Sequence, residues 1–247
     1  MSIQRESSPI FENESCIVIN KLPGASSEFT GIGAVCQSPV KPVHRLDTPV
    51  SGCLLLAKTP NAAAFLSAAF AGRRVEKRYW AIVEKPAASV VLPESGELVH
   101  WLTFNAAKNK SFAHAAGDDG TGGRGRKEAV LRYRLAGTGK HYLFLEIELV
   151  TGRHHQIRAQ LAAIGLCIKG DLKYGARRSE KAGGIRLHAY SLGFPDPLYA
   201  DRTISVKALP PEMDALWTAF AETAGGSAAG GQPHSPHPAR FTKGTAT

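Results

Sequence analysis

An α+β fold is predicted, on three observations. Residues 73–83, RRVEKRYWAIV, alternate with the period of a strand. Residues 130–135 and 141–150 are two more alternating runs joined by a short turn, which reads as a hairpin, and the apolar run 53–57 reads as a buried strand. Helical spacing appears in separate short segments: Ala62, Phe65, Leu66, Ala69 and Phe70; then Ile157, Leu161 and Ile164; then Met213, Leu216, Trp217 and Phe220.

The first helix has Thr59 as a cap, Pro60 at its first position and Gly72 as its stop. The second is expected to begin at Thr151 as cap and to end at Gly165, and the third to be started by Pro210 and Pro211. Before these, Ile10 and Phe11 and then residues 16–19 suggest a first strand with a turn inside it, closed by residues 20–24, NKLPG. Residues 1–9 are expected to fray. In residues 73–83, Val75, Lys77, Tyr79, Ala81 and Val83 share one face, and Arg78, Trp80 and Ile82 the other. Residues 84–128 are the least regular part, broken by Pro86, Pro93 and the glycines of 117–125. Ile204 and Val206 make a last short strand, and from Thr223 the chain has no apolar period and is expected to be a disordered tail. Its His234 and His237 receive no role.

With 247 residues, 43% of them hydrophobic, the chain holds a substantial core in one or two domains. No apolar run reaches the length of a membrane span, and the first ten residues lack a signal-peptide core, so a cytoplasmic protein is expected. A formal charge of +9 favours a polyanionic partner, since each phosphate neutralised releases counterions. Cys16, Cys36, Cys53 and Cys167 have no zinc-like spacing and are expected to be reduced and buried.

Chemistry concentrates in residues 42–58, PVHRLDTPVSGCLLLAK. His44, Arg45 and Asp47 precede the turn formers Thr48, Pro49, Ser51 and Gly52, which places a carboxylate at the mouth of a buried strand. Asp47 reads either as a reactive acid or as a cap of its own turn. HRLD is not a kinase loop, because no following Asn or DFG accompanies it. Gly120, Gly122 and Gly125 spell a dinucleotide motif, but neither a strand before nor a helix after supports it. Arg124, Arg126 and Lys127, with Lys108 and Lys110 upstream, read instead as a phosphate-gripping loop or as a merely solvated one.

HRLD followed by a small residue, Ser, Gly and an apolar strand resembles the signature of RluA-type RNA pseudouridine synthases. Lys77, Tyr79, Ala81 and Val83 resemble that family's second motif, TGRHHQIR at 151–158 its third, and CIKGDLKYG at 167–175 and RLHAYSLGFPDP at 186–197 two more. The resemblance spans residues 10–222 with the blocks in order. Val50 stands where the family has Thr, and Asp196 where it often has His.

The resemblance implies a single catalytic domain over residues 10–222, a bent, mixed, mostly antiparallel sheet with flanking helices and a central cleft, and no S4-like RNA-binding domain. It implies isomerisation of uridine to pseudouridine in structured ribosomal or transfer RNA, without cofactor or metal, by a protein expected to be a monomer. Asp47 is the expected catalytic residue, Arg153 its guanidinium partner and Tyr79 the face on which the base stacks. Arg153 would sit in the first helical turn, where a cation is disfavoured unless a carboxylate lies opposite. His44, Arg45, Lys77, His155, Arg186 and His188 are expected to bind the RNA, and His154 and His155 to point apart on a helix. Two alternatives remain: an RNA-binding protein of this fold without activity, and a nucleotide-binding enzyme using the Gly120 loop.

Overall fold

The structure, a computed structural model, describes residues 7–28, 40–86, 92–115, 125–180, 183–199 and 201–226. Cys36, Gly120, Gly122, Arg124, His234, His237 and most of the residue 25–42 loop lie outside the described residues. The chain divides into two compact units, residues 1–79 with 181–213 and residues 80–180 with 214–247.

In the first unit, β1 (Ser8–Glu12) pairs antiparallel with β2 (Cys16–Lys21), and β2 with β4 (Ser51–Ala57). The short β3 (Lys41–Pro42) also joins β4. β10 (Leu187–Pro195) lies parallel to β4, with His188 level with Ser51, and carries β11 (Thr203–Lys207) antiparallel. Ser8 and Pro9 are thus strand, not frayed end. Every residue of β4 is buried. Gly52, at φ +116°, sits where β10 approaches so closely that a Cβ would fall 2.3 Å from the Ala189 carbonyl oxygen. Helix α1 (Pro60–Ala71) covers this sheet, burying Ala62, Leu66 and Ala69 against Cys53, Leu55, Leu192 and Phe194. Thr59 accepts the Ala62 N–H at 3.1 Å and Gly72 caps the other end, donating its N–H to the Ala68 carbonyl at 2.9 Å, both as the sequence predicts; Arg73 follows in the left-handed region (φ 56°). Asp196, buried, accepts the Leu198 N–H at 2.9 Å and shapes the β10–β11 turn.

β5 (Glu76–Glu84) runs across the unit boundary at Tyr79/Trp80, and every residue from Tyr79 to Val83 is buried, so the two-faced alternation expected there is covered on both sides.

The second unit contains the predicted hairpin, β8 (Lys127–Thr138) with β9 (Tyr142–Leu149), bulged between Leu135 and Gly137. The stretch read as irregular holds a second hairpin, β6 (Ser95–Asn105) with β7 (Lys110–His114), and β6 pairs with β8. Lys110 and Lys127 are therefore strand residues rather than parts of a loop. Helix α2 (Gln156–Ala163) is followed by a 3-10 turn (Leu172–Tyr174), and α3 (Ala215–Gly226) packs Trp217 and Phe220 near Trp80 and Phe144. Asp214, not the prolines, starts α3, accepting the N–H groups of Leu216 and Trp217 at 3.2 and 3.1 Å. α3 also reaches past Thr223, whose side chain packs on Gly137, so residues 223–226 are helix rather than tail.

The α+β class and the mixed, mostly antiparallel pairing are borne out. Cys16 and Cys53 are buried free thiols as expected, whereas Cys167 is half-buried.

Candidate functional site

Asp47 sits half-buried in a turn closed by the Val50 N–H on its own carbonyl at 2.9 Å. Three stretches of the first unit hold that turn. From the end of β2, Lys21 is wholly buried and sends its ammonium to the carbonyls of Leu22 (2.9 Å), Ala25 (2.9 Å) and Thr48 (3.2 Å). Those three acceptors match the three donors of an ammonium, which is how a cation survives in a core. Burial pushes its pKa down to about 8, with the Asp47 charge acting against that fall. The Gly24 N–H reaches the same Thr48 carbonyl at 2.7 Å. Ser27 brackets Leu46, donating to its carbonyl at 2.8 Å and accepting its N–H at 3.0 Å. From the far end of the sequence, the Ile185 N–H donates to Pro49 at 3.1 Å. Gly184, at φ +73°, comes so close that a Cβ would meet the Pro49 oxygen at 2.7 Å and Pro23 at 2.5 Å.

Arg186 follows directly and is buried, at 7% exposure. Tyr79 is buried as well, and its phenol is held protonated first by burial and then by the charges of Asp47 and Cys53, so Asp47 and Tyr79 lie within electrostatic reach of each other. Val50 is 2% exposed, its methyls packed into protein.

His188 corrects an expectation. It is 0% exposed, with Nε2 on the Ala208 carbonyl at 2.8 Å and Nδ1 on the Ser51 hydroxyl at 2.9 Å. The first contact requires a proton on Nε2, so Ser51 donates to Nδ1, and no ring atom is left for a phosphate. Its pKa falls to about 4, chiefly by burial. His44 is likewise engaged inward, accepting the Leu55 N–H at 2.9 Å through Nε2 and stacking on Phe70 at 4.7 Å. Burial, then Lys77, lowers its pKa to about 3, so the ring is neutral. Arg45 is exposed, and Lys77 is half-buried with its pKa lowered by burial and then by Arg73.

In the second unit the TGRHHQIR segment differs from its prediction. Helix α2 begins at Gln156, so Arg153 precedes the helix and the argument from the helix dipole does not apply to it. Thr151 does not cap α2; its hydroxyl donates to the Gln156 Oε1 at 2.7 Å and accepts the Val130 N–H at 2.9 Å, while the same Oε1 accepts the Arg153 N–H at 2.9 Å. Arg153 is exposed, with Nε on the Glu128 carbonyl at 3.0 Å. His154 and His155 do not point apart: their rings stack, with centroids 3.8 Å apart. His155 is in the left-handed region at φ 52°, is buried, and meets the Tyr174 hydroxyl through Nδ1 at 3.0 Å. Burial first, then Arg158, His154 and Lys173, bring its pKa to about 3. Arg158 and Asp171 form a buried two-point pair at 2.7 and 2.8 Å, joining the HQIR and GDLKYG blocks.

Sequence reasoning missed Lys21, Ser27, Gly184 and the Arg158–Asp171 pair. The signal for Lys21 was its place in NKLPG, residues 20–24, which resembles an NKPxG-like element of the family but was read only as the close of a strand. No group of three or more His, Cys, Asp or Glu among the described residues is placed to hold a metal, and no helix there is long and apolar enough to cross a membrane.

Comparison with known proteins gives this arrangement its context. A model of the family described as RNA pseudouridylate synthase matches residues 35–163. The chain is 30% identical over 239 residues to ribosomal large subunit pseudouridine synthase D of Zymomonas mobilis, covering 84% of this chain and 71% of that one. It is 34% identical over 196 residues to tRNA pseudouridine synthase C of Haemophilus ducreyi, covering 72% and 74%. Against two relatives described as uncharacterized RNA pseudouridine synthases, from Zymomonas mobilis and Bacillus subtilis, it spans 64% and 61% of their length. Human RNA pseudouridylate synthase domain containing 1 shares the fold, with a TM-score of 0.68 at 21% identity over 85% of this chain and 87% of that one. The chain belongs to the RNA pseudouridylate synthase family, isomerases that act on RNA.

Proposed function

We propose that this chain converts uridine to pseudouridine in structured RNA of the ribosomal or transfer class, with Asp47 as the catalytic carboxylate. The observation that carries the reading is the Asp47 turn itself. A carboxylate on a turn gripped by Lys21, Gly24, Ser27 and Ile185 is fixed in position before substrate arrives. Such preorganisation is what a reaction at ribose C1′ requires of its nucleophile or base.

The reaction breaks the N1–C1′ bond, turns the uracil and forms C5–C1′; the proton on C5 leaves and N1 ends protonated. Tyr79 supplies the stacking face. Burial and the Asp47 charge keep its hydroxyl protonated, so it serves as a platform and neutral hydrogen-bonding group rather than as a phenolate base. The guanidinium beside Asp47 is assigned to Arg186, which is buried next to the residue bonded to Pro49 in the same unit. A buried guanidinium demands an anion. Arg153, exposed and with Nε on Glu128, is assigned to RNA phosphate along with Arg45 and Lys77. The target uridine is extruded from its stack, and the protein acts as a monomer in the cytoplasm.

Tritium release from RNA labelled at uracil C5 tests this. Release by the parent chain, lost in Asp47→Asn while RNA binding persists, is the expected result. Undiminished release by Asp47→Asn removes Asp47 from the chemistry, and RNA binding without release by the parent leaves an inactive RNA-binding protein.

A further inference from the structure

Phe104 is a large aromatic side chain, 54% exposed, at the end of β6. Its alternate neighbours Leu98, His100 and Leu102 are buried on the same face of the strand; Phe104 continues that face into solvent. Its ring is not loose. It rests on His154 at 4.4 Å, His154 stacks on His155 at 3.8 Å, and His155 meets Tyr174 edge-on at 5.7 Å, with its Nδ1 on the Tyr174 hydroxyl. Tyr174 is itself fixed by the Ser111 backbone, accepting its N–H at 2.9 Å and donating to its carbonyl at 3.0 Å. Ser111 pairs with Phe104 across the hairpin. The result is a rigid aromatic column with one end buried and the other wet.

Cations surround the wet end. The turn that follows Phe104 is tied by the Lys108 N–H to Asn105 and crossed by Lys173, whose ammonium lies 3.1 Å from the Asn109 carbonyl. Lys110 reaches the Lys173 carbonyl and stands over the Tyr174 ring at 4.7 Å. Among the described residues none of these three lysines is in an ion pair, and the acid nearest to Lys173 in sequence, Asp171, is paired with Arg158. An apolar core would have no use for this pattern, and a solvated basic face would have no use for the aromatic column. Exposed rings set among unpaired cations suit a strand of bases and phosphates.

We propose that Phe104, on the His154–His155–Tyr174 column, stacks an unpaired base of single-stranded RNA, while Lys108, Lys110 and Lys173 hold the adjoining phosphates. The site is built wholly from residues of the second unit and binds a nucleotide that is not the one modified. It rests on RNA being the partner, as proposed above.

The test is fluorescence anisotropy with short oligoadenylate and with an abasic ribose-phosphate oligomer of the same length. Neither contains uracil, so the outcome does not depend on the isomerase reading. Phe104→Ala is expected to weaken oligoadenylate binding on the order of 5- to 150-fold, the range of one base–aromatic stack removed. It should leave the abasic oligomer unchanged, and Phe104→Trp should restore binding. Lys108→Gln and Lys173→Gln should weaken both oligomers alike and flatten the salt dependence by roughly 0.7 in log–log slope for each phosphate no longer neutralised. The proposal is overturned if Phe104→Ala binds oligoadenylate as the parent does, or loses both oligomers equally. Loss of tritium release in Asp47→Asn with these results intact, or its persistence, bears only on the isomerase reading.

Discussion

Replacing Lys21 by Met should change not only how stable the protein is but how that stability depends on alkaline pH. The ordinary lysine pKa of 10.5 falls to about 8 in the folded chain because the ammonium is buried. Below pH 8 both folded and unfolded chains carry this proton, and the folded state bears the cost of a buried charge. Between pH 8 and 10.5 the folded state releases it while the unfolded state keeps it, so unfolding takes up a proton and stability rises with pH. At 1.36 kcal/mol per pKa unit, that rise amounts to about 3 kcal/mol over the window. Lys21→Met has no such group. Its Leu22 and Ala25 carbonyls also lose their partner, which costs on the order of 1–3 kcal/mol for each one left buried. Urea unfolding of both proteins at pH 7, 8, 9 and 10 is the assay. The difference between the two stability curves should change by about 2.5 kcal/mol from pH 7 to pH 10. Parallel curves would show that Lys21 titrates at an ordinary pKa and that its three-carbonyl cage does not force a charge into the core.

On the acid side, His44 and His188, held neutral with pKa values lowered to about 3 and 4, make stability fall as pH drops below their unfolded value near 6.5. The slope between pH 6 and pH 4 should approach roughly 2.7 kcal/mol per pH unit from these two alone, and a flat denaturation profile in that range would contradict the structure. Arg158→Leu should cost about 3–5 kcal/mol by stranding Asp171, whereas joint replacement of Arg158 and Asp171 by apolar residues should recover most of it, as read by denaturant midpoints. Gly52→Ala should destabilise by more than about 3 kcal/mol, since both the positive φ and the Ala189 backbone oppose a Cβ; a soluble, equally stable variant would mean that β4 and β10 are not packed as described. Arg186→Lys should reduce tritium release far more than Arg153→Lys, with the latter acting mainly on RNA affinity and its salt dependence; the reverse order would return the orienting role to Arg153.

What the sequence made legible follows where side-chain chemistry and backbone need coincide. Thr59 and Pro60 announced α1 because the cap needs a hydroxyl and the first turn needs no N–H. The β8–β9 hairpin was legible because Leu131, Tyr133, Leu145 and Ile147 are both apolar and inward. β6 was illegible for the opposite reason: its buried face carries Gly96 and His100 beside Leu98 and Leu102, so burial has period two while hydrophobicity does not. α2 was placed too early because Thr151 looked like a cap, whereas its hydroxyl bonds Gln156 and the β8 backbone. For the candidate site, Asp47 and Tyr79 stood out as motif residues, but its supports did not. Lys21 looks like any surface lysine, since three carbonyls converging on one ammonium is a tertiary fact. His188 looked like a ligand-binding residue for the same reason, its burial being set by β11 and Ala208 rather than by anything adjacent to it in the chain.

The bond from Ile185 to Pro49 spans more than half of the polypeptide's length. During synthesis the stretch carrying Asp47 leaves the ribosome long before Gly184 and Ile185 exist, and domains settle as their segments emerge. Until that late segment arrives, the acid's turn lacks one of its three grips. A truncated or half-made product thus carries the motif without the geometry that its turn has in the finished fold.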